Sequence, residues 1–252
     1  ERAPMAADLA DVGPWLSPGD TVADGSPGDP LRGLSIWYLR ERLCAELAIH
    51  PDAKVHEVEP RLRAFGEGQT CPRDGEPGAA VVDAVGDGTG GVGDPHAGRA
   101  TIMLSYSWQY AVSDIVDALS ATCAALGRDP QAERVWICFL CVNQHRVKDR
   151  ERLGDAMPTE AFMDGFQGAV RHIPELWALL QPWYRPLYLS RAWCVFELHE
   201  GLRHKRPEEV RVVLTRRDAD DFGAVLARDN WSNLRTLSAL FRVLAAVRTA
   251  RA

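Results

Sequence analysis

Leu189-Ser190-Arg191-Ala192-Trp193-Cys194-Val195-Phe196-Glu197-Leu198 is the stretch from which the fold is read. Pro182 and Pro186 precede it, so the chain leaves a loop and enters a helix there, with Ser190 as the expected N-cap. Cys194, Leu198 and Leu202 recur at i, i+4 and i+8 and form the core stripe, with Val195 beside them. Trp193 and Glu197 are also i, i+4 partners, on the edge of that stripe. Most helical glutamates are solvated. A carboxylate packed beside an indole is different, because apolar surroundings favour its protonated form and mark it as a candidate for chemistry.

Working outward, Val210 to Leu214 reads as a strand, and Leu176 to Leu180 suits a strand or a helix. Thr159 to His172 is a helix with Phe162, Phe166 and Val170 on one face. Val135 to Val142 is nearly continuously apolar, as expected of a parallel strand covered on both sides. Ser113 opens a helix with Ile115, Leu119, Cys123 and Leu126 on one face, ended by Gly127. Thr101 to Tyr106 is a further strand, and the charged run Arg146 to Pro158 reads as a surface excursion. Helices are expected from Asp218 to Ala227 and from Ser232, where Leu234, Leu237, Phe241 and Leu244 share a face. Strand–helix alternation of this kind predicts an α/β chain: a flavodoxin-like three-layer sandwich with a parallel sheet and right-handed crossovers.

Upstream the texture differs, and residues 1–98 read as a partly disordered N-terminal extension to a domain spanning 99–252. Glu1 to Pro30 is rich in Gly, Pro and Asp. Ser35 to Ala48 predicts a helix with Ile36, Leu39, Leu43 and Leu47 inward, and a short helix from Ala53 to Val58 is expected to stop at Pro60. Gly66 to Gly98 reads as a linker or insertion. Within it, Val81 to Gly91 imitates a strand followed by GxGxxG, but Val92-Gly93-Asp94-Pro95 cannot supply the helix that a dinucleotide fingerprint requires.

A net charge of −6 argues against a general nucleic-acid binder. No apolar run reaches membrane-span length, and the acidic, Pro-punctuated start is not a signal peptide. With no initiator Met, the chain reads as a piece of a longer polypeptide. The six cysteines fall mostly on apolar faces, which predicts reduced thiols and a cytoplasmic setting.

In a parallel sheet, ligands bind beyond the carboxyl ends of the strands. Three segments are expected to meet there: Ser107 and Trp108, then Asn143 with Gln144 and His145, then Trp183, Trp193 and Glu197. Indoles to stack on and a carboxylate to hold sugar hydroxyls suit a ribose-and-base ligand. No spacing supplies the orienting acid of a nucleophile triad. A zinc site through Cys138, Cys141 and His145 is disfavoured, because residues three apart on a strand point to opposite faces. No metal is therefore expected.

The organising stretch resembles the S-R/K-x-W-C-x-x-E-L segment of Toll/interleukin-1 receptor (TIR) domains. Ile102 to Trp108 is similar to the first TIR strand and its loop. Val135 to Gln144 resembles the W-I-D-x-L-C-I-N-Q strand of the TIR-related fungal heterokaryon-incompatibility domains, with Cys138 in place of the Asp. The resemblance spans Arg99 to Leu214. It implies an NAD glycohydrolase with Glu197 as the catalytic residue, NAD as substrate rather than cofactor, and Ser107, Trp108, Asn143, Trp183 and Trp193 around the substrate. The alternative it carries is a signalling module that works through self-association or a partner, without catalysis. A third reading is an enzyme like the nucleoside deoxyribosyltransferases, which also place a glutamate at the sugar.

Overall fold

A computed structural model describes residues 25–86, 95–154 and 159–228. The first part runs β1 (Arg32–Ser35), α1 (Ile36–Glu41), α2 (Leu43–Glu46), α3 (Val55–Gly66), α4 (Val81–Gly86) and β2 (Ala97–Arg99). Next come β3 (Ile102–Ser105), α5 (Val112–Ala125), β4 (Arg134–Trp136), α6 (Cys138–Cys141) and α7 (Gln144–Leu153). The last part is α8 (Thr159–His172), β5 (Glu175–Leu179), α9 (Ala192–His204), β6 (Val210–Val213) and α10 (Arg216–Arg228). The helix expected from Ser232, and most of the Glu1 to Pro30 segment, lie outside the described residues.

The strands form one sheet in the order β2-β1-β4-β3-β5-β6. β4, β3, β5 and β6 are mutually parallel. β1 runs antiparallel to both of its neighbours, β2 and β4. The sheet is therefore mixed, which corrects the parallel, flavodoxin-like sheet expected from the alternation of strands and helices. The cause is β1. Its four residues are all buried and show no alternation, so nothing local marks them as a strand. Pairing far along the chain does so: Leu34 sits opposite Val135, and a Cβ on Gly33 would stand 2.6 Å from the Val135 carbonyl carbon.

The segment read as an extension contributes to the common core. Leu34, Leu39, Val55, Leu62 and Val82 belong to the same cluster as Ile102, Leu104, Val135 and Trp177. Ser35 caps α1 by accepting from the Tyr38 N–H, and Ile36, Leu39, Leu43 and Leu47 are buried on the expected stripe, although the helix breaks at Arg42. Pro60 does not stop the second helix. α3 continues through it, and the burial of Val55, Val58 and Leu62 offsets the lost backbone hydrogen bond.

The expected linker is packed where it is described. Cys71 and Ala79 to Val85 are buried, and Val81 to Gly86 is helix α4 rather than a strand. Asp83 is fully buried there between two nearly buried arginines. Arg73 Nε stands 2.7 Å from its Oδ2, and Arg32 Nη1, from β1, stands 3.5 Å from its Oδ1. Limited proteolysis followed by mass spectrometry should accordingly leave the bonds from Ala79 to Val85 intact at early times. Early cuts there would contradict the packing.

Both faces of the central parallel strands β3 and β5 are covered. Ser105, Leu176 and Ala178 share the face that meets α9, where a Cβ on Gly201 would come within 2.3 Å of Leu176. Leu104 and Trp177 point the other way and are equally buried. α9 does not begin at a Ser190 cap. Ser190 closes a short 3-10 turn, Leu187–Ser190, with Oγ donating to the Leu187 carbonyl at 2.7 Å, and Arg191 takes the cap position without a side-chain bond. Among the described residues no helix is long and apolar enough to cross a membrane.

Candidate functional site

A cavity of about 280 Å³ opens beyond the carboxyl ends of β3 and β4. Tyr106 and Trp108 line it from the loop after β3, and Cys138, Val142 and Gln144 from the chain after β4. Val147 of α7 and Phe166 of α8 close one side, and Arg191, Trp193, Cys194 and Glu197 come from the first turns of α9. Trp193 remains 38% exposed at the rim, with its ring 5.9 Å from Phe166 and edge-on to Phe196 at 6.0 Å.

Glu197 is 6% exposed. Ser105 Oγ, at the end of β3, donates a hydrogen bond to its Oε2. Among the described residues that is the one hydrogen bond the carboxylate receives, and no cation pairs with it. Burial pushes its pKa from 4.5 to about 8, with the Ser105 bond pulling the other way. At neutral pH the carboxyl is therefore mostly protonated.

The neighbouring tyrosine and thiols are neutral as well. Tyr106 OH lies 3.1 Å from Cys138 Sγ, and Trp108 Nε1 donates to the same sulfur at 3.4 Å. Desolvation pushes the Cys138 thiol up to about 12. It raises Cys194 and Tyr106 as well, and Cys194 Sγ donates to the Tyr106 carbonyl at 3.2 Å. These are not nucleophilic thiols.

Of the predicted site residues, Glu197, Trp108 and Trp193 line the cavity. Ser107, Asn143 and Trp183 have other tasks. Ser107 is buried in a turn, its Oγ accepting from the Gln109 N–H at 3.3 Å. Asn143 caps α7 by accepting from the His145 N–H at 3.0 Å, and donates to the Gly78 carbonyl at 2.9 Å. Trp183 is held against α10, with Nε1 donating to Asp221 at 2.7 Å and its ring 5.0 Å from Phe222. The run from Arg146 is charged as expected, but α7 organises it to Leu153.

Gln144, expected at the site beside Asn143, does line the cavity, while sequence reading missed Ser105, Tyr106, Cys138, Phe166 and Arg191. Ser105 did leave a signal, as the lone hydroxyl at the end of an apolar strand. Cys138 and Cys141 are not strand residues: they lie on the single turn of α6, where Cys141 Sγ accepts from the Ile137 N–H at 3.4 Å. Among the described residues no group of three or more His, Cys, Asp or Glu side chains could hold a metal ion.

Glu200 is set apart from the cavity but is not a solvated helix residue. It is 2% exposed, accepts from Gln167 at 2.6 Å, and has His204 at 3.2 Å with Arg171 and Arg203 farther off. It ties α8 to α9. Comparison with protein-family models, curated proteins and solved structures gives no significant match to the chain.

Proposed function

We propose that the cavity receives the nicotinamide–ribose end of NAD or a related nucleotide, and that Glu197 promotes cleavage of the bond between them. The observation that carries this reading is a single buried carboxyl, one oxygen held by Ser105, standing among Trp108, Trp193 and Tyr106. The resemblance of its helix to the TIR catalytic segment supports the same reading. A cavity of about 280 Å³ has room for a ring and its sugar, and the remainder of a dinucleotide would extend past Arg191 at the exposed edge.

In the reaction the C1′–N bond breaks and its electron pair leaves with nicotinamide, which departs neutral and needs no proton. Positive charge develops on the ribose C1′ and ring oxygen, and ionised Glu197 stabilises it before water adds. A pyridinium in the cavity opposes the desolvation penalty, so binding should release the proton that Glu197 otherwise holds.

The pH dependence follows with a definite sign. The ionised form is needed and the free-site pKa is about 8, so kcat/KM should rise about tenfold per pH unit below that value and level off above it. Nicotinamide release from NAD, followed at high protein concentration from about pH 6 to pH 9, tests this. A rate that falls as pH rises would make Glu197 a proton donor instead, and no release at any pH would sink the reading.

A second reading, a signalling module acting through self-association, is favoured by one observation. Tyr184, Leu187, Trp193 and Val195 are exposed along the chain into α9. A cytoplasmic setting fits either reading, given that all six cysteines are free thiols.

A further inference from the structure

Ser105 and Tyr188 are both fully buried, and their hydroxyl oxygens lie 2.7 Å apart. A hydroxyl has one proton to give. Ser105 gives its proton to Oε2 of Glu197, so Tyr188 must be the donor to Ser105. The reverse direction is blocked by what surrounds Tyr188. Its packing neighbours are Ala178, Leu180, Cys194 and Leu198, and among the described residues its hydroxyl makes no other hydrogen bond. A reversed chain would leave the phenolic proton buried without an acceptor, which folded proteins avoid. Tyr188 is itself anchored: the Tyr110 hydroxyl accepts from its N–H at 3.2 Å and from the Gln181 N–H at 3.1 Å.

We infer that Ser105 and Tyr188 form a one-way hydrogen-bond chain that occupies Oε2 of Glu197 and leaves Oε1 as the oxygen that acts on a ligand in the cavity. The inference rests on Glu197 being the catalytic residue. Ser105 and Tyr188 are then positioning residues, acting only through the carboxyl group. With Oε2 already accepting, the proton of neutral Glu197 sits on Oε1. Proton release on ligand binding and charge development during cleavage thus occur at the same atom.

The groups around Glu197 leave Ser105 in control of its ionisation. Tyr106 from the loop after β3, Cys138 from α6, Tyr188 from the 3-10 turn and Cys194 from α9 are all shifted upward and stay neutral through the range in which Glu197 titrates. Phe166 of α8 and Gln144 and Val147 of α7 do not titrate. Arg191 stands at the exposed edge of the cavity.

The test is an infrared titration of the protonated carbonyl band, assigned to Glu197 by its loss in Glu197→Gln, alongside the pH profile of nicotinamide release. Ser105→Ala removes the donor that favours the ionised form, so the midpoint should move up by about one unit or more. Cleavage near neutrality should fall about tenfold and recover at high pH, with KM for NAD little changed. Tyr188→Phe keeps the Ser105 donor but not its support, and should move the midpoint in the same direction by less. A purely structural role would lower stability without moving the midpoint, and an unmoved midpoint in Ser105→Ala overturns the inference. Should Ser105→Ala not fold, Ser105→Cys, a weak donor, and Tyr188→Phe decide it by the same criterion. If wild-type protein cleaves no NAD, the proposed function falls, while the infrared midpoints still decide whether the chain exists.

Discussion

Replacing Glu197 with Gln is expected to lower nicotinamide release at least about a hundredfold, the scale on which one preorganised electrostatic group contributes to catalysis. The same change should make the protein more stable at alkaline pH. The folded-state pKa is raised from 4.5 to about 8, so between those values the folded chain holds a proton that the unfolded chain has lost. Stability from this group is fully present below the lower value and is lost as pH rises to the upper one. The loss is roughly 1.4 kcal/mol for each unit of the shift. Gln is neutral throughout and suffers no such loss. Urea unfolding at about pH 5 and about pH 9 should show the wild type weakening relative to Glu197→Gln across the window. Parallel behaviour would mean that Glu197 titrates as an ordinary solvated carboxylate. Glu200→Gln is a poor control because Glu200 is buried among Gln167, His204 and two arginines. The exposed Glu208 is the better one.

Asp83→Asn should cost about 3–5 kcal/mol of stability, the usual penalty for leaving a buried ion pair with one partner. Asp83 stands between Arg32 and Arg73, whose side chains are 2% and 4% exposed, and an amide cannot compensate two guanidinium charges. Equilibrium unfolding in urea measures this directly. A loss under about 1 kcal/mol would show that the arginines reach water or another anion once Asp83 is gone. The effect would also confirm that β1 and α4 are integral to the fold, since the three residues join segments that read from sequence as an appended helix and a linker.

Local chemistry was sufficient for a definite part of this protein. Helix α8 spans Thr159–His172 as its periodicity predicts, and β3 and β6 fall on the apolar runs chosen for them, whereas Leu176 to Leu180, which suits a strand or a helix, becomes β5 through pairing with β3 and β6. On α5, Ile115, Leu119 and Cys123 are inward as their spacing requires, and Cys194 and Leu198 are inward on α9, but Leu126 and Val195, expected with them, are exposed. In each matching case a repeat of two or 3.6 residues, or an uninterrupted apolar run, is written into neighbouring positions and needs no distant partner to be read. The candidate residues Glu197, Trp108 and Trp193 were legible for the same reason, lying on a packed helix edge or at the end of a strand.

What tertiary structure decided depends on contacts between distant segments. β1 is a strand because β4 and β2 accept it, and its direction makes the sheet mixed. α3 persists through Pro60, and Ala79 to Val85 pack inward in a Gly-rich region, because the core offers burial that outweighs local propensity. Trp183 and Asn143 were placed at the site for lying near element ends, yet Asp221 holds one and the Gly78 carbonyl binds the other. Glu197 acquires its raised pKa only when Tyr106, Cys138 and the rest of the cavity lining take it out of water, against the opposing bond from Ser105, 92 residues away in sequence. Sequence determined which side chains could take part in chemistry. Folding determined which of them were removed from water together, and desolvation is what turns a helical glutamate into a proton-holding group.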